Sequence, residues 1–309
     1  MLYLFLSGCA STPQSDALLE SVPSEFARPT ELTHVAFYAQ REYQCGPAAL
    51  ATVLHEHRIP VSLDDLVTRV YIPERQGILQ IEMVRTIRDY NLVPYQLEPS
   101  LQDLLAEINA GRPVLVLQNL GVSWYPRWHY AVVVGYDLGE EKIILRSGEI
   151  ERYVMDLKTF EHTWRRSRHW SVIALSTQQL PANPNPWRYL KAITPFEETK
   201  NWTVLNQAYQ TGLAHWPNHR DLLFGYATAR YLQSDRKAAQ ELFARTVEKY
   251  PDYAPARNNY AQVLLEEGNL DAALLHARRA IELGGEHSEQ YRATLNSIRQ
   301  AMEQNHLRK

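Results

Sequence analysis

From Arg220 onward the chain repeats itself every 34 residues, and that period leaves few architectures open. Ala227 and Ala261, Ala239 and Ala273, and Pro251 and Gly285 each stand 34 positions apart. A repeat this short cannot enclose a core of its own, so it must stack helical hairpins on its neighbours. The alanines mark where the two helices of a hairpin cross closely. One unit runs from Arg220 to Tyr253 and the next from Ala254 to His287, an earlier half unit shows in Leu205, Tyr209 and Pro217, and Ser288 to Gln304 is expected to form a capping helix.

Thirty-four residues is the tetratricopeptide period, and the region resembles that family. The resemblance implies an all-α array whose concave groove holds a peptide or a protein partner; packing onto the preceding domain, or onto a second copy, is the other reading of so short an array.

At 309 residues the chain is too long for this array alone, and at roughly 150 residues per domain a second domain is expected. Leu180 to Pro186 reads LPANPNP, with three prolines directly after the last strand-like stretch. The expected organisation is a signal over 1–9, a polar tether over 10–31 with its prolines between Ser11 and Pro29, a mixed domain over 32–176, a Pro-rich linker over 177–186 and the repeats over 187–309.

The mixed domain is helical first and extended later. Helices are expected from Cys45 to about His55, with Pro47 in the first turn, from Leu63 to Val70 after Ser62, from Leu79 to Tyr90, and from Leu101 to Ala110 after Ser100. Strands are expected at Val114 to Leu120, Tyr130 to Tyr136, Lys142 to Leu145, Arg152 to Leu157 and Ser171 to Leu175, with a hairpin turn at Asp137 to Glu141. Helices gathered before an antiparallel sheet define an α+β domain.

Charge excludes a nucleic-acid partner by bulk electrostatics, because 32 Lys and Arg face 35 Asp and Glu. The one basic cluster, Arg165, Arg166 and Arg168, reads as a solvated turn. No stretch reaches the ~18 apolar residues of a membrane-spanning helix. No paired Cys-x-x-Cys units or His-Glu-x-x-His pattern is present, so neither metal nor cofactor is expected.

Two cysteines remain, and each has its own setting. Cys9 ends the run Leu6-Ser7-Gly8-Cys9 and resembles the lipobox cysteine of bacterial lipoproteins. That resemblance implies acylation of Cys9, and Ala10 and Ser11 imply passage to the periplasmic face of the outer membrane of a Gram-negative cell, although the charged start of a secretory signal is missing. The membrane would then be reached through a lipid anchor.

Cys45 stands within QREYQCGPAALATVL, at the mouth of an expected helix. Free backbone N–H groups and the positive end of the helix dipole favour a thiolate there. His129 opens WHYAVVVGYD, where a strongly apolar strand can hold a base rigidly beside a cleft. Together these stretches resemble the bacteriocin-processing, double-glycine type cysteine peptidases of the papain clan, in particular stand-alone relatives with a Cys-Gly-Pro-Ala motif. The resemblance covers about Leu32 to Ser176. It implies a papain-like fold, Cys45 as nucleophile, His129 as base, and Gln40, rather than Gln44, as donor to the oxyanion.

The family's third residue, Asp or Asn, falls here on Ser147. Asp137 cannot replace it, being ~26 Å from His129 at ~3.3 Å per strand residue. Ser147 is the first choice for orienting His129, with Glu149 and Asn119 behind it. Trp124, Tyr125, Pro126 and Trp128 are expected either to wall the cleft or to pack in the core.

The fold class expected is thus a papain-like α+β cysteine peptidase domain followed by an all-α tetratricopeptide domain. The function expected is an exported, lipid-anchored cysteine peptidase with a peptide or protein substrate. A catalytically weak scaffold and an acyl-transferring relative such as an amidase or transpeptidase are the alternatives.

Overall fold

The computed structural model describes residues 11–40, 44–70, 78–122 and 124–307. The signal with Cys9 lies outside the described residues. The chain divides into two units, one reaching to Arg188 and the other beginning at Tyr189. The Pro-rich stretch is laid along the first unit, where the Ala182 N–H donates to Glu107 at 2.7 Å and the Asn185 N–H to the Tyr95 hydroxyl at 3.1 Å.

In the first unit, helices α1 (Pro13–Glu20), α2 (Cys45–Glu56), α3 (Leu63–Val70), α4 (Gln80–Asp89), α5 (Leu101–Asn109) and α6 (Leu157–Arg165) accompany an antiparallel sheet. Its strands are β1 (Thr30–Glu31), β2 (Val93–Gln96), β3 (Val114–Asn119), β4 (Trp128–Asp137), β5 (Lys142–Ser147), β6 (Ile150–Asp156) and β7 (Ser171–Leu175). They run in the order β2-β7-β3-β4-β5-β6, with β1 paired to the far end of β4 through Thr30 and Glu31. Helix α2 is the centre of the unit: Gly46 through Leu54 are all buried, and the helix packs on β4. A helix apolar almost all round has no face to give to solvent and must be enclosed.

Three segments differ from the expectations. No strand is expected at Val93–Gln96, yet β2 forms there, at an end of the sheet where the missing N–H of Pro94 is tolerated. Leu157 does not end a strand. It opens α6, because the Asp156 side chain accepts from the Thr159 N–H at 3.0 Å and caps a helix.

The polar stretch from Ser11 to Pro29 is not a free tether either. Its helix α1 buries Ser15 and Leu18, Phe26 is buried edge-to-face against Tyr136, and the carboxylate of buried Glu161 accepts from the N–H groups of Gln14 and Ser15 at 3.1 and 2.6 Å. Those donors are in the first turn of α1, where helical N–H groups lack partners and negative charge is favoured.

Helix α7 (Pro186–Ile193) crosses the division and is followed by α8 (Pro195–Glu198) and α9 (Trp202–His215). The repeats then run as α10 (Arg220–Leu232), α11 (Arg236–Lys249), α12 (Ala254–Glu266), α13 (Leu270–Leu283) and α14 (Ser288–Leu307). Arg220 and Ala254, which open α10 and α12, are 34 apart, as are Arg236 and Leu270, which open α11 and α13. Ala227 and Ala239 are fully buried beside Phe243 and Val263, and Ala261 and Ala273 beside Ala277, Leu295 and Ile298. Leu295 and Ile298 belong to α14, which closes the array.

Candidate active site

Cys45 is the first residue of α2, preceded by Gln44 in the half-helical position. A Cβ on Gly46 would come within 2.5 Å of Ile78 Cδ1 and 3.2 Å of Met83 Sδ, so glycine lets the helix mouth close down on that wall. The main-chain N–H groups of Tyr130, Gly46 and Cys45 itself lie close enough to the Cys45 sulfur to favour its charged form. Tyr130 directly follows His129. On β4, Leu117 and Gln118 of β3 pair with Tyr130 and His129, while β5 joins only from Val132 onward. The other flank of β4 is therefore open at Tyr130, and the mouth of α2 meets it there.

His129 Nε2 lies 2.8 Å from Ser147 Oγ, at the end of β5. Nδ1 is then the ring nitrogen left for proton exchange. The Gln40 N–H donates to the carbonyl of Gly148 at 3.2 Å, and Gln40, Ser147 and Tyr130 line one crevice with Phe37, Tyr38 and Thr52. Cys45, His129, Ser147 and Gln40 thus gather around the open ends of β4 and β5 and the mouth of α2.

The other residues considered for orienting His129 stand elsewhere. Asn119 Oδ1 accepts from the N–H groups of Gly121 and Arg127, both at 2.9 Å, and so ties the β3–β4 hairpin. Glu149 is exposed in the β5–β6 turn, and Asp137 is at the far end of β4. Gln44 serves the helix through its main chain, its carbonyl accepting from Ala48 at 3.1 Å.

Arg146, which sequence alone left open between surface and site, is buried. Its guanidinium donates to the carbonyls of Val35 and Glu151 at 3.1 and 2.8 Å, which holds the segment leading to Gln40 against β5. Sequence reasoning missed this role, and missed Phe37 and Tyr38 as crevice walls. Trp124, Tyr125, Pro126 and Trp128 are neither core residues nor lining of that crevice; all are exposed on the β3–β4 hairpin.

The electrostatics also differ from the expectation of a resident thiolate. Burial pushes the Cys45 thiol above its ordinary value, against the three N–H groups that hold it down. Burial likewise pushes His129 from 6.5 down to about 4. Desolvation of a charge outweighs the helix mouth here. The phenol of Tyr130 is pushed up by burial and by the nearby sulfur.

Residues 32–172 match the Peptidase_C39 like family, and residues 230–298 match the tetratricopeptide repeat. The first unit therefore carries a C39-like peptidase domain and the second a tetratricopeptide-like helical region. Among solved structures, one described as a C39-like peptidase from Bacillus anthracis is similar at 16% identity, over 48% of this chain and 98% of that one, with a TM-score of 0.42. The peptidase domain of Streptococcus ComA, a bi-functional ABC transporter involved in quorum sensing, is similar at 16% identity, over 46% of this chain and 99% of that one, with a TM-score of 0.39. The first tetratricopeptide domain of Spaghetti, bound to an HSP90 peptide, is similar at 16% identity over 38% of this chain and 93% of that one, with a TM-score of 0.36. No curated protein matches the chain.

Proposed function

We propose that the chain is an exported, lipid-anchored cysteine peptidase of the stand-alone Cys-Gly-Pro-Ala type, with Cys9 as the acylated residue and the repeats recruiting a peptide or protein substrate. It would act in the cell envelope, at the periplasmic face of the outer membrane. The observation that carries the reading is the meeting of the Cys45 thiol with the Tyr130 N–H, one residue from an imidazole whose Nε2 is held by Ser147.

In this reading the thiol proton passes to His129 Nδ1 as the Cys45 sulfur attacks a substrate carbonyl. The tetrahedral oxyanion is met by the Gln40 amide and the Cys45 N–H, each such donor contributing about 3 kcal/mol in comparable sites. The imidazolium returns its proton to the departing amine, and water then cleaves the thioester. Peptide-library digestion tests this: specific cleavage that disappears in Cys45→Ala and in His129→Ala is the expected result. Cleavage persisting in Cys45→Ala would remove the sulfur from the mechanism, and amide exchange without hydrolysis would make the protein a transferase.

A second reading is supported by the hydroxyl at position 147 and by a His129 held far below neutrality. A serine stabilises imidazolium less than a carboxylate does, so the same fold would serve as a catalytically weak scaffold for protein assembly.

A further inference from the structure

The β3–β4 hairpin carries a patch that the peptidase reading does not use. Trp124 is 86% exposed, Tyr125 67% and Trp128 51%, with Leu120 and Val122 exposed beside them. Hydrogen bonds tie the two limbs that carry these side chains. Val122 and Tyr125 exchange main-chain hydrogen bonds at 3.2 and 3.1 Å, and the Leu120 N–H donates to the Arg127 carbonyl at 2.9 Å. Asn119 ties both limbs from within, and the Arg166 guanidinium donates to the carbonyls of Asn119 and Gly121. A Cβ on Gly121 would run into the Tyr125 carbonyl and lie 2.9 Å from the Arg127 nitrogen, so the limbs approach as closely as backbone permits.

The same end of the first unit receives the segment that follows Cys9. Arg165, next to Arg166, donates to the Ser11 carbonyl at 2.7 Å, and the Gln14 amide lies 3.4 Å from His169 Nε2. The polypeptide two residues beyond Cys9 is thereby fastened to the C-terminal end of α6, whose next residue grips the aromatic hairpin. Exposed Arg127 and Arg168 add positive charge to this end.

We infer that the hairpin tip of Trp124, Tyr125 and Trp128, with Arg127 and Arg168 around it, is a membrane-docking surface that seats in the headgroup layer of an anionic phospholipid bilayer. Tryptophan and tyrosine favour that layer because they join an apolar ring to a polar atom. Guanidinium groups are drawn to anionic headgroups. The inference extends the lipid-anchor reading but its test is independent of acylation.

The test uses the full chain carrying Cys9→Ala, which cannot be acylated, with vesicles of 70% phosphatidylethanolamine and 30% phosphatidylglycerol. Sedimentation with the vesicles and a blue shift of tryptophan emission are expected. Adding Trp124→Ser and Tyr125→Ser should lower the vesicle partition coefficient about tenfold and abolish the shift. Both proteins keep residues 1–10, so the difference belongs to the hairpin. Arg127→Glu, a change to an exposed side chain, should weaken binding to these vesicles and leave binding to uncharged vesicles unchanged. Equal partition of the double variant and its parent overturns the inference. So does a double variant that binds vesicles normally but loses peptide turnover, since the hairpin would then belong to the substrate. Failure of the anchor reading would show separately, as absence of acyl-chain incorporation at Cys9 in the unmodified protein.

Discussion

A hydroxyl at position 147 limits what His129 can do. At 2.8 Å the Ser147 Oγ orients the ring, but it brings no charge to hold a proton on the imidazole, and burial takes His129 to about 4. The thiol, raised above its ordinary 9.0, releases its proton only at higher pH. Since alkylation reads the thiolate, its rate should climb with pH through a midpoint above 9.0. Ser147→Asp places a carboxylate against Nε2, raises the imidazole, and so favours the thiolate–imidazolium pair. Its alkylation should show a new plateau near neutral pH, with peptide turnover about tenfold higher, as one pKa unit of pairing implies. An unchanged profile in Ser147→Asp would show that Ser147 and His129 are not coupled in solution. Cys45, His129 and Ser147 could be singled out from sequence because side chains announce themselves there. The Tyr130 N–H was not, since every residue has one, and Arg146 was hidden because its partners are carbonyls.

At the scale of elements, a helix can be invisible in sequence when what fixes it is far along the chain. α1 shows weak apolar periodicity, and its anchor, Glu161, is 147 residues from Gln14. Sequence patterns resolve helices with an apolar stripe, such as α5 with its Ser100 cap, and strands such as β7, whose expected limits Ser171 to Leu175 are the observed ones. They do not resolve a polar segment folded down by a buried carboxylate. Glu161→Ala leaves the N–H groups of Gln14 and Ser15 facing a void, at roughly 1–3 kcal/mol for each buried donor. It should release α1 before the rest of the unit melts, exposing the buried Leu18 and Phe26 to chymotrypsin at temperatures where the unmodified protein resists. Equal resistance of the two proteins would mean that Leu18 and Phe26 hold the segment without the carboxylate.

For the whole molecule, the chain divides into two compact units, and this makes their contributions separable by experiment. The core of the first unit is closed around α2, while that of the repeats passes from one hairpin to the next through fully buried alanines. Enlarging Ala261 or Ala273 forces methylenes into a helix crossing that has no room for them, which destabilises by about 1–3 kcal/mol. In a stacked array such damage spreads to neighbouring hairpins rather than across a division between units. If the repeats recruit substrate, Ala273→Leu should leave turnover of short peptides within about twofold. It should also weaken capture of a full-length substrate by the otherwise inert Cys45→Ala protein by about tenfold, the equivalent of 1.4 kcal/mol. Calorimetry supplies the structural control, with the transition of the repeats lowered and that of the first unit in place. Should Ala273→Leu depress short-peptide turnover and full-length capture alike, the repeats would be a support for the peptidase-like fold, and recruitment would have to be sought on the first unit itself.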